Sequence, residues 1–83
     1  MPALLDAAAA PSSLAHFPSG SRGRLVSIDA GHGLRARLAS MGLVPGVEIE
    51  IVRNGGRGPY IVCAHGARLV LGRGVAHKIL IRP

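Results

Sequence analysis

Tryptophan is absent from this chain of 83 residues, and the only aromatic rings besides its histidines are Phe17 and Tyr60. A core must therefore be aliphatic, and the stacked rings that single-strand nucleic-acid binders set among basic residues are nearly lacking. One cysteine, Cys63, excludes an internal disulfide framework and suits a reducing compartment. Carboxylates are also scarce, four against ten Lys and Arg, for a net charge of +6 at pH 7. No stretch reaches the roughly 18 apolar residues that a membrane-crossing helix requires. The Ala-rich start, Met1 to Pro11, has no early Lys or Arg and carries Asp6, so it does not read as a secretory signal. No Walker sequence is present, which leaves nucleotide chemistry to any partner. The expectation is one small, soluble, cytoplasmic domain.

Most of the organising information lies in residues 34–51. Leu34, Leu38 and Met41 fall at i, i+4 and i+7, which predicts a short helix with these three side chains mainly in the core. Gly42 stands where a left-handed residue commonly ends a helix. Val44-Pro45-Gly46-Val47 has the order of a type II turn, with proline presetting φ and glycine supplying positive φ. From Val47 the period becomes two, with Val47, Ile49 and Ile51 on one face and Glu48 and Glu50 on the other. Met41, Gly42, Pro45 and Gly46 thus form a structural corner between a helix and a strand.

The remaining chain divides into a tail, residues 1–13, and a compact domain, residues 14–83. Leu4 to Ala10 reads as a frayed or short helical tail, and Leu14 and Phe17 as apolar anchors. Arg22 to Ile28 is expected to be a strand with Val26 and Ile28 inward. Gly31-His32-Gly33 lacks the third glycine and the βαβ setting of a phosphate cradle and reads as a connection. Asn54 to Pro59, with three glycines, is the expected flexible tip. Tyr60–Ala64 and Arg68–Leu71 read as strands joined by a tight turn at His65-Gly66, with Leu69 and Leu71 sharing a face. Gly72 to His77 is a connection with room for one helical turn, and Lys78–Arg82 a last strand with Ile79 and Ile81 inward. The fold class is mainly β: a small barrel of five short strands with one short α-helix, closing on itself so that no edge stays unpaired.

The order Gly20…Val26-x-Ile28, Leu34-x-x-x-Leu38-x-x-Met41-Gly42-Leu43-x-Pro45-Gly46-x-x-Ile49, Gly58-Pro59-Tyr60-Ile61-Val62 and Leu69-x-Leu71-x-x-x-x-Ala76-x-x-Ile79-x-Ile81 resembles the ferrous iron transport protein A (FeoA) family over residues 14–82. That resemblance implies an SH3-like barrel with a helix over one opening. It further implies a cytoplasmic accessory of ferrous iron uptake, held near the inner membrane by its partner, the GTPase-coupled permease FeoB. The same barrel resembles the C-terminal domain of iron-dependent repressors, so fold alone does not assign the task. The tail lies outside the pattern.

Residue chemistry points to binding and away from turnover. Glu48 and Glu50, two apart on a strand, read as a solvated face, and the serines show no spacing with His and Asp that would make a nucleophile. No enzyme activity and no cofactor are expected. Cys63 and His65 are the candidate ligands for a transition metal, since thiolate and imidazole two apart on a strand share a face; a third ligand would have to come from His16, His32, His77 or a second molecule. Leu43, Val44, Tyr60 and Arg57 are the candidate partner-binding residues. The alternatives are a free-standing repressor-type interaction domain of a metalloregulatory system and, behind it, a basic nucleic-acid-binding module, although the arginines are spread over almost every element. Self-association stays open.

Overall fold

The computed structural model describes residues 10–54 and 57–83. The expected tail over Leu4 to Ala10 therefore lies outside the described residues up to position 9, and the expected flexible tip does so at Gly55 and Gly56. In chain order come β1 (Ser12–Ser13), a 3-10 turn (Leu14–His16), β2 (Arg22–Ile28), α1 (His32–Ser40), β3 (Glu48–Arg53), β4 (Tyr60–Ala64), β5 (Ala67–Leu71), α2 (Arg73–Lys78) and β6 (Ile79–Arg82). The strands form one antiparallel sheet in the order β1-β6-β2-β3-β4-β5. There are thus six strands where five were expected, because Ser12 and Ser13 pair with Ile81 and Leu80. The connection after β5 is a second short helix, six residues long. The hydrogen-bond ladder also does not close among the described residues, and β1 and β5 stand at its two ends.

Two irregularities curl the sheet. Against β6, Leu25 pairs with Ile81 but Ser27 with Leu80, so Val26 is the extra residue of a bulge. This overturns the expected inward face of β2: Leu25 is buried and Val26 half-buried, and the alternation restarts so that Ile28 packs against the core from beyond the bulge. The second irregularity lies between Ile51 and Arg53 on β3, opposite Val62 and Ile61. Gly23 is required where β2 crosses β6, since a Cβ there would sit 2.6 Å from the Arg82 carbonyl oxygen.

The core is aliphatic apart from Tyr60: Leu14, Leu25, Leu38, Leu43, Ile49, Ile51, Val62, Ala64, Leu71, Ala76, Ile79 and Ile81 are buried with it. Asn54 fastens the 3-10 turn to the end of β3. Its side-chain Nδ2 donates to the carbonyls of Phe17 (3.0 Å) and Ala15 (3.4 Å), and its backbone N–H donates to Ser19 Oγ (2.8 Å).

Candidate interaction surface

The surface is built on the corner. α1 ends at Ser40 with Met41 as its cap, and the Gly42 N–H donates to the Ala39 carbonyl (2.9 Å) while the Leu43 N–H donates to the Leu38 carbonyl (2.9 Å). With Gly42 at φ +91°, this is a Schellman motif. Such a motif brings the residue after the glycine against the last inward residue of the helix, here Leu43 against Leu38. Leu43 is accordingly 0% exposed, which corrects its expected place among the exposed partner-binding residues. Met41 is corrected in the opposite sense: it caps the helix at the rim of a cleft that Leu34 and Leu38 also line, and it is 42% exposed. Of the predicted stripe only Leu38 is fully buried, and Leu34 is half-buried. The turn after it forms as expected, with the Val47 N–H donating to the Val44 carbonyl (3.2 Å) and Gly46 at φ +95°.

Tyr60 is the other corrected contact candidate. It shares a face with Val62 and Ala64 on β4, pairs with Leu71, and is 4% exposed. The alternation Tyr60-Val62-Ala64 is the available signal, and the interior takes the ring that partner binding would have needed at the surface. Val44 and Arg57 are exposed as expected.

Two clefts flank α1. The larger, about 410 Å³, runs between the helix and the corner, along Ile28, Arg35, Ala36, Ala39, Val44 and Pro45. The smaller, about 210 Å³, lies on the opposite flank, where Leu34, Arg37 and Met41 meet Val70, Leu71 and Val75. The large apolar side chains most exposed among the described residues are Met41, Val44 and Val70, and each lines one of these clefts. Sequence reasoning found Val44 and missed Val70, whose signal was its alternation with the inward Leu69 and Leu71.

Cys63 and His65 come to a third, shallow depression of about 230 Å³ with Arg22, Glu48 and Glu50. Cross-strand register explains the grouping: Glu50 pairs with Arg22 on one side and Cys63 on the other, and Cys63 with Arg68 beyond. Although these residues line one hollow, no three of His, Cys, Asp and Glu among the described residues are grouped to hold a metal ion. His65 has another occupation. With φ 54° at His65 and 76° at Gly66, the β4–β5 connection is a type I′ turn, and His65 Nε2 lies 3.3 Å from the Gly42 carbonyl oxygen. The imidazole thus braces the hairpin against the corner.

No helix among the described residues is long and apolar enough to cross a membrane. The FeoA domain family matches residues 12–83. A protein of Methanocaldococcus jannaschii, named as a candidate Fe(2+) transport protein A, is 38% identical over 68 residues, 82% of each chain. Among solved structures, an iron uptake regulatory protein (FeoA) superposes with a TM-score of 0.81 at 35% identity, covering 87% of this chain and 96% of that one. The fold alone is shared with two others. One is a zinc-complexed Stenotrophomonas maltophilia FeoA described as an SH3 domain protein (TM-score 0.72, 23% identity, 83% and 87% covered). The other is a manganese-dependent transcriptional repressor (TM-score 0.79, 22% identity, 87% and 41% covered). With its family match spanning nearly the whole domain and these relatives beside it, this SH3-like, mainly β chain belongs to the FeoA family.

Proposed function

We propose that this protein is a cytoplasmic accessory of ferrous iron transport that binds the cytoplasmic part of the GTPase-coupled permease FeoB and modulates uptake without turnover of its own. The observation that carries the reading is the placement of Met41, Val44 and Val70, which concentrates the exposed apolar surface on the two flanks of one short helix. Apolar side chains held at the rim of preformed clefts are suited to a protein contact. Membership of the FeoA family and the transport name of the archaeal relative supply the context. The repressor resemblance extends to the fold alone, so transport is the favoured setting.

The test is binding of the purified cytoplasmic part of the permease, followed by calorimetry. Wild type is expected to bind, and Val44→Glu and Met41→Glu each to weaken binding at least roughly tenfold, since a charge would have to be buried in an apolar contact. Undiminished binding by both variants removes the flanks of α1 as the contact, and no binding by wild type removes the permease as partner.

A further inference from the structure

β5 stands at the end of the sheet, and among the described residues no strand pairs with its outer edge. A free edge is a row of backbone donors and acceptors spaced for one more strand. The usual protections are thin here: Ala67-Arg68-Leu69-Val70-Leu71 holds no proline and a single charge, and Val70 is 66% exposed. The smaller cleft adjoins this edge, with Val70 and Leu71 forming one wall, Leu34 and Met41 supplied by α1 and its cap, and Val75 by α2. Its volume of about 210 Å³ admits a large apolar side chain.

Charge around the edge is of one sign. Arg37 lines the cleft, Arg68 lies on β5 and Arg73 opens α2, while α1, β5 and α2 contain no Asp or Glu. The acidic side chains among the described residues are Glu48 and Glu50 on β3 and Asp29 just after β2.

We infer that the β5 edge is a strand-addition site for an extended acidic segment of a partner protein, whose main chain pairs with β5 while an apolar side chain enters the cleft. This deepens the reading of the protein as a binding module and rests on it. A second copy fits less well, since it would bring together two edges whose flanking charges, Arg37, Arg68 and Arg73, are all positive. Nucleic acid would use the arginines but leave Met41, Val70 and Val75 without a partner, and it would find neither of the two larger rings exposed for stacking, Tyr60 being buried and Phe17 half-buried.

The probe is an eight-residue peptide of alternating Leu and Glu with blocked ends, titrated into isotope-labelled protein, with a Leu/Lys peptide and a DNA oligonucleotide as controls. The acidic peptide is expected to shift the amide signals of residues 67–71 and slow their exchange, with a Kd on the order of 10–100 μM for so short a strand. Val70→Glu and Arg68→Glu, both on the exposed side of the sheet, should each weaken it about tenfold or more. The Leu/Lys peptide and DNA should leave these amides unchanged. Equal response to both peptides, response of the same amides to DNA, self-association that Val70→Glu abolishes and the peptide does not compete, or no response at β5 would each overturn the inference. The permease fragment separates this inference from the broader reading. Peptide binding without permease binding upholds the edge and removes that partner; permease binding that neither Val70→Glu nor the acidic peptide disturbs keeps the partner and removes the edge.

Discussion

At Gly42 two constraints coincide. The backbone holds φ +91°, and an added Cβ would lie 2.9 Å from His65 Cδ2. Left-handed backbone costs an ordinary residue about 1–2 kcal/mol, and moving the imidazole aside gives up its 3.3 Å contact with the Gly42 carbonyl. Gly42→Ala is therefore expected to destabilise the domain by about 1–3 kcal/mol, read as a lower urea midpoint at unchanged m-value. Gly46 has the same sign of φ with open space around it, so the corresponding change there should cost only the backbone part. Leu43 and Met41 invert their expected roles just as concretely. Leu43→Ala should cost about 2–5 kcal/mol as a core truncation, while Met41→Ala, at a rim, should stay within about 1 kcal/mol. Thermal or urea unfolding of the two variants checks the contrast.

Among the elements, α1 has little support from local chemistry. Gly31 caps it without a side-chain bond, its first turn has no acidic residue, and Leu38 is its one fully buried side chain. Its place is set at the far end by the Schellman bonds to Leu38 and Ala39, so the corner positions the helix and the helix positions both clefts. The 3-10 turn depends in a comparable way on Asn54. Asn54→Ala removes two side-chain donors from the Phe17 and Ala15 carbonyls, and a loss of about 1–2 kcal/mol is expected, with amide exchange accelerating first in residues 14–19. In the sequence this asparagine, beside Gly55, reads as part of a loop signal. Its reach of 37 positions back to Phe17 is a tertiary fact that no local pattern announces.

For the whole molecule, ten Lys and Arg against four carboxylates give the surface a positive field, which speeds encounter with an acidic partner and is screened by salt. The association rate with the permease fragment is expected to fall roughly tenfold between about 20 and 300 mM salt, with a smaller change in the dissociation rate, as stopped-flow measurements would show. What could be read directly from the chain was whatever follows from short-range geometry. The period-two run at Ile49 and Ile51, the inward Ile79 and Ile81, the positive-φ glycines of the corner and the turn at Pro45 are all local consequences of alternation and backbone sterics. The motif order around them carried the family. Tertiary structure decided the rest. The bulge at Val26 turned Leu25 inward while Ile28 still packs against the core, and Leu43 and Tyr60 lie in the interior and not at a contact surface. The ladder stopped at β5 and left Val70 beside Met41. A pattern in sequence states which residues share a face, but which face meets the core depends on register against strands far along the chain.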